Sequence, residues 1–166
     1  MNADPGTYAL VLRSDAAARI RVGRLGELDA RRGYYVYVGS AFGPGGLAGR
    51  LAHHQRPPTR PHWHIDYLRT HAPLIEIWFT NDAHPREHKW ADLIGSARGA
   101  TIPLPGFGSS DCTCRSHLFH FAQRPSVSAF RRRVRGTRGD RRLGDDAAIR
   151  HLSAVSCWPA GRVDVG

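Results

Sequence analysis

Apolar and polar positions along this chain repeat with two different periods, and the changes of period divide it into segments. Thr7 to Arg13 (TYALVLR) has strand composition, as does Arg19 to Val22 (RIRV). Gly33 to Gly39 (GYYVYVG) carries the strongest strand signal, aromatic and β-branched throughout. A glycine-rich turn, FGPGG, opens a helix over LAGRLAHHQ, and RPPTRP ends it, because proline lacks an N–H and clashes with the preceding turn. WHIDYLRT reads as a short helix and LIEIWF as a strand. HPREHKWADLIG reads as a helix with Pro85 in its first turn and Gly95 as its stop. LPGFGSSDCTC is a loop, and SHLFHF a closing strand or helix edge. The first three strands are local and predict antiparallel pairing. The expected fold class is therefore α/β of the α+β type, a central mainly antiparallel sheet of three or more strands flanked by helices.

Composition narrows the picture. The 166 residues are 41% hydrophobic, enough for the core of one domain, which excludes wholesale disorder. Lysine and arginine number 24 against 14 acidic residues, a net charge of +10, and only Lys89 is a lysine. Arginine makes planar, bidentate contacts with phosphate oxygens, so the balance favours an anionic partner, nucleic acid or membrane surface. The charge is uneven: residues 1–124 hold 15 basic and 10 acidic side chains, residues 125–166 hold 9 and 4. That last stretch shows few apolar residues in any clear period. Residues 1–124 are expected to form the folded domain, and residues 125–166 a basic tail, largely disordered or loosely helical. No apolar run is long enough to span a bilayer, and the N-terminal stretch lacks a signal peptide's apolar segment. Three cysteines cannot complete a disulfide framework. A soluble, cytoplasmic protein is expected, with no membrane partner.

Several residues invite chemistry. Tyr35 and Tyr37 project from one face of their strand, while Tyr34, Val36 and Val38 project from the other. One face suits a core and the other presents phenols; a half-exposed tyrosine face is the plain structural account. Gly39 follows, where a ligand can approach the backbone closely, and Ser40 is its neighbour. Arg50 and His54 are four apart on one helical face, suited to a phosphate oxygen or simply to solvent. Glu87 lies in the first turn of its helix, where the macrodipole favours a negative charge. A single carboxylate with water and substrate phosphate can hold magnesium, so Glu87 is either a metal holder or a stabilising first-turn residue.

Taken in order, GTY (Gly6, Thr7, Tyr8), YVG (Tyr37, Val38, Gly39), an arginine helix and a glutamate helix resemble the GIY-YIG nuclease superfamily. YVYVGSA, GLxxRLxxH, HWHIDYL and GFGSSDCTCRSHL resemble one uncharacterised branch of it, found alone or fused to endonuclease III-type repair glycosylases. The resemblance covers Gly6 to Phe121. It implies hydrolysis of DNA phosphodiesters, structure-selective or repair-related, with one Mg²⁺ or Mn²⁺. It casts Tyr8 as the general base or the group orienting the water, Tyr37 as its support, Arg50 as the phosphate ligand and Glu87 as the metal holder. His54 joins this catalytic set, and Gly39, Ser40 and His64 are expected against the substrate. DNA is favoured over RNA. The rival expectation is a noncatalytic nucleic-acid-binding module that retains the fold.

The chain departs from the family pattern at Thr7, where isoleucine is usual, and in the long interval from Tyr8 to Tyr37, which implies an extra strand around RIRVGRLG. Gly33-Tyr34-Tyr35 also spells the first motif but leaves no room for a turn before Tyr37. HWHIDYL reads as a structural helix with Trp63 and Tyr67 in the core; alternatively His64 or Asp66 contacts the phosphate or orients Arg50. Cys112, Cys114 and His117, beside Asp111, offer three zinc ligands, a fourth having to come from His120 or elsewhere; a packed loop beside the active site is the competing account. Arg131, Arg132 and Arg133, in the basic stretch, suit nonspecific phosphate contact or plain solvation.

Overall fold

Strand β1 (Thr7–Ser14) is buried along nearly its whole length, which is why TYALVLR runs apolar instead of alternating: both faces of its sheet are covered. In the computed structural model, which describes residues 3–137 and 149–154, β4 (Gly33–Ser40) and β5 (Leu74–Thr80) pair on either side of β1. Strands β6 (Leu118–Phe121) and β7 (Arg150–Ser153) complete a five-stranded sheet of order β6-β4-β1-β5-β7, antiparallel throughout. Four helices flank it, so the expected α+β class is the one found.

Strands β2 (Ala18–Val22) and β3 (Gly26–Ala30) pair only with each other, as a separate two-stranded sheet. The extra strand expected in the long interval is thus a hairpin standing outside the central sheet. In β3 only Leu28 and Ala30 are buried, between exposed Glu27 and Asp29, too short an alternation to stand out. Val22 and Leu28 join the first core, with α1 (Gly46–Gln55) and α2 (His64–Arg69) supplying Leu47, Leu51, Ile65 and Leu68 against Leu10, Leu12, Tyr35 and Ile77 of the sheet. The second core, on the other face, sets Ala9, Val11, Val36, Val38 and Trp78 against Trp90, Ala91 and Ile94 of α3 (Glu87–Gly95). Helix α3 begins at Glu87 rather than at Pro85 and ends at Gly95 as expected.

Both faces of β4 are therefore covered. Tyr35 and Tyr37 share one face, but that face is not half-exposed: Tyr35 is fully buried, and its hydroxyl accepts the Arg31 N–H at 2.7 Å.

The expectation of a disordered or loosely helical tail fails where the structure describes it. Val127–Gly136 forms helix α4, with Ser126 Oγ accepting the Ala129 N–H as an N-cap. Val127, Phe130 and Val134 follow the helical period among the arginines, and Phe130 stacks on Trp78 at 5.3 Å and meets the Trp90 ring edge-on at 5.0 Å. Three apolar residues spaced in this way are enough to dock a short helix on aromatic partners. Strand β7 pairs with β5, and Arg131 donates to the Ile149 carbonyl, tying α4 to the residue before β7. The remainder of the expected tail, including Arg138, Arg141, Arg142 and Cys157, lies outside the described residues. Among those described, no helix is long and apolar enough to cross a membrane.

Candidate active site

The register of β1 on β4 places Tyr8 opposite Gly39 and Leu10 opposite Tyr37, so the two tyrosines are diagonal neighbours on one sheet face. The ring of Tyr8 lies across Gly39: a Cβ there would sit 2.5 Å from the phenol oxygen. The close approach expected at Gly39 is thus made by Tyr8, and no ligand is needed to explain the glycine.

Helix α1 brings Arg50 and His54 toward this pair. Tyr8 Oη and His54 Nε2 are 2.9 Å apart, both buried, while Nδ1 of the same ring has no partner among the described residues. The neutral ring can meet the phenol as acceptor or, in its other tautomer, as donor. The Arg50 guanidinium lies 4.5 Å from the centre of the Trp63 ring, a cation–π contact that orients its planar fork. No ion pair involves Arg50 among the described residues. Glu87 enters from the first turn of α3, its side chain 21% exposed, with Oε1 3.2 Å from His88 Nε2.

A loop closes the opposite wall. Phe107 is buried in the first core and anchors it, and the Gly108 N–H donates to His64 Nδ1 at 3.0 Å. Gly108 has φ 71°, and a Cβ on it would sit 2.7 Å from the Tyr37 ring, so both conformation and space call for glycine. The result is a cleft of about 380 Å³ lined by Tyr8, Tyr37, Ser40, Arg50, His54 and Glu87, with His62, Trp63, His64, Asp111 and His117 around them.

Burial sets the protonation states. It raises the Tyr8 pKa well above the usual tyrosine value, with Tyr37 adding to the rise and Arg50 opposing it, and it raises Tyr37 likewise, with Glu87 adding. Burial and the neighbouring Arg69 depress His54 to about 3, so its ring is neutral. Burial also lowers His64 and His117. The cleft therefore presents the neutral phenols of Tyr8 and Tyr37 and the neutral His54 ring, with Arg50, Glu87 and Asp111 around them.

Behind it, Asp66 is fully buried and accepts from the N–H groups of His62 and Trp63, from the Arg69 guanidinium at 3.1 Å and from the His53 ring. Burial raises its pKa, but these donors outweigh the penalty and hold it below the usual carboxylate range. Arg69 also donates to the carbonyls of His54 and Arg56, closing the C-terminal end of α1. Asp66 is thus structural, and it is Trp63 that orients Arg50.

The structure brings together Tyr8, Tyr37, Ser40, Arg50, His54, His64 and Glu87. Arg131, Arg132 and Arg133 are outside the cleft, on α4 against the other sheet face: Arg131 is engaged with Ile149, and Arg133 donates to Ser96 at 2.8 Å. Cys112 and Cys114 sit with His117, which also lines the cleft, and there burial and the neighbouring Cys112 push the Cys114 thiol up to about 11. The fourth group beside them is His88, not His120, which bonds the Arg32 carbonyl. Sequence reasoning missed Trp63 as the support of Arg50, and His88, whose signal was a histidine next to the candidate glutamate.

Fold and cleft together define an antiparallel α+β domain with tyrosine, arginine, histidine and glutamate side chains gathered at one face of its sheet. The chain belongs to the family described as domain of unknown function DUF123, whose profile matches residues 7–138. No curated protein and no solved structure matches it.

Proposed function

We propose that this protein is a divalent-metal-dependent endonuclease of the GIY-YIG type that hydrolyses phosphodiester bonds in DNA. The observation that carries this reading is the convergence of Tyr8, Tyr37, Arg50, His54 and Glu87, from two strands and two helices, on one cleft. The net charge of +10 supports a polyanionic substrate.

A phosphate entering the cleft meets Arg50, whose fork faces the non-bridging oxygens and opposes the charge that grows on them toward the transition state. Tyr8 keeps its proton in the resting site, so it works as a phenol that holds the attacking water and not as a standing phenolate. As the water oxygen bonds to phosphorus and the bond to the departing sugar oxygen breaks, the water's proton passes to Tyr8 Oη while the phenol hands its own to His54 Nε2, and the departing oxygen takes a proton from solvent water. The depressed basicity of His54 makes it hold that proton only transiently, and the proton returns through Tyr8 Oη to water in the cleft. Tyr37, its hydroxyl in the same cleft, keeps the water aligned.

The half-buried Glu87 carboxylate is a hard oxygen donor opening into the cleft, which suits Mg²⁺ or Mn²⁺ with water and phosphate oxygens completing the shell. Such an ion, when bound, supplies Lewis-acid polarisation of the phosphate.

The test is a cleavage assay on single-stranded, duplex and branched DNA, comparing wild type with Glu87→Gln, each with Mg²⁺, Mn²⁺ or chelator. Metal-dependent cleavage by wild type, lost in the variant with DNA affinity kept, is the expected result. Cleavage surviving in Glu87→Gln removes that residue from the metal. Saturable, salt-sensitive binding without turnover by wild type sinks the enzyme and leaves the noncatalytic module.

A further inference from the structure

Beside the cleft, and sharing His117 with its lining, four side chains converge that the proposed reaction does not use. His88 comes from the first turn of α3; Cys112, Cys114 and His117 come from the segment leading into β6. One ligand atom from each lies within 4.8 Å of all the others. Cys112 Sγ is 3.4 Å from His117 Nε2, and the rings of His88 and His117 are 5.9 Å apart. Both cysteines are free thiols.

We propose that His88, Cys112, Cys114 and His117 form a closed, four-coordinate zinc site that fixes the cleft's loop wall to helix α3. Two thiolates and two imidazoles are the ligand set of structural zinc, and soft sulfur excludes the hard cation suited to Glu87. With zinc–sulfur bonds of about 2.3 Å and zinc–nitrogen bonds of about 2.0–2.1 Å, a tetrahedron has sulfur–nitrogen edges of about 3.6 Å. The observed 3.4 Å is already close to that edge. The Cys-x-Cys spacing is tighter than the usual run of zinc ligands, and the structure accommodates it by taking the other two ligands from a helix turn and from the end of the loop. His88 Nε2 sits 3.2 Å from Glu87 Oε1, and a ligating histidine ordinarily gives its second N–H to such a carboxylate.

The site explains how a long irregular segment stays in place. Between Thr101 and Leu118 the chain forms only turns and bends, yet Gly108, Ser110, Asp111 and His117 of this segment line the cleft. Loops of this length need a clamp of their own or a binding role. Phe107 anchors one side of the segment in the core, and zinc anchors the other. The inference does not depend on the proposed reaction.

The experiment is metal analysis of the purified full chain together with cobalt substitution. Wild type is expected to carry one zinc per chain, released by a thiol-blocking mercurial. The cobalt form is expected to show tetrahedral d–d absorption and a thiolate charge-transfer band. Cys112→Ser with Cys114→Ser is expected to lose the zinc and the band, and Glu87→Gln to retain both, which separates this site from the carboxylate metal of the proposed reaction. Chelator is expected to lower the melting temperature of wild type and not that of the double variant. A wild-type chain that takes up neither zinc nor cobalt, a cobalt spectrum lacking the thiolate band, or full zinc in the double variant overturns the proposal. The wild-type cobalt spectrum decides even if the variants do not fold.

Discussion

Thr7 Oγ1 accepts the Arg86 backbone N–H at 3.0 Å, joining the strand that carries Tyr8 to the turn that presents Glu87. This threonine thus positions two halves of the cleft relative to each other. Thr7→Val keeps the shape and leaves that N–H without its acceptor. Stability should fall by about 1 kcal/mol in urea unfolding, as expected for one lost hydrogen bond. Turnover should fall through kcat more than through KM, and Thr7→Ser should restore it.

Arg50 is oriented by an aromatic face. Trp63→Leu keeps apolar bulk but removes the ring beneath the guanidinium. A cation–π contact of this kind contributes about 0.5–2 kcal/mol, so phosphate affinity or kcat/KM should drop by about 2- to 30-fold. Trp63→Phe should lose less. Titration with a short DNA duplex at fixed salt checks it.

His54 links the site to pH. Its pKa of about 3 in the folded chain lies below the ordinary value of about 6.5. Unfolding therefore takes up a proton between those values. The stability it contributes is complete above about pH 6.5 and is lost as the pH falls toward 3, by an amount on the order of a few kcal/mol. His64, His117 and His120 are lowered too and act with the same sign. The informative quantity is thus the difference in slope between wild type and His54→Gln, from unfolding free energies at several pH values. His54→Gln should flatten the acid limb.

Asp66 and Arg69 form a buried pair in which each also satisfies backbone groups. Asp66→Asn leaves the Arg69 charge uncompensated, and breaking such a pair costs about 3–5 kcal/mol. Chemical denaturation should show that loss, and the double variant Asp66→Leu with Arg69→Leu should not recover it, because the N–H groups of His62 and Trp63 and the carbonyls of His54 and Arg56 then lose their partners.

What the sequence disclosed follows from how each element is buried. Strands β1, β4 and β5 are covered on both faces, so their runs of apolar and β-branched residues stand out, and α1 declares itself through its glycine turn and proline stop. Helix α4 does not, because three apolar residues among arginines reach significance only against Trp78 and Trp90. Tyr8, Tyr37, Arg50 and Glu87 were legible in order; the β1–β4 register brings the two tyrosines together, and α1 and α3 bring Arg50 and Glu87 to the same cleft. The long interval between the tyrosines is taken up by the β2–β3 hairpin, and register, not loop length, sets their separation. Trp63 beneath Arg50 and His88 beside two later cysteines were not legible. Such contacts between elements leave no periodic trace.

Strand β7 is four residues long, yet it covers the outer side of β5 from Glu76 to Phe79. A chain cut after α4 would bare that side: a row of unpaired N–H and C=O groups on LIEIWFT, aromatic and β-branched with one acidic residue. Such a border is a template on which a second chain can add its own strand. Strand β7 replaces that border with a shorter one, RHLS, which carries Arg150 and His151 in place of apolar side chains.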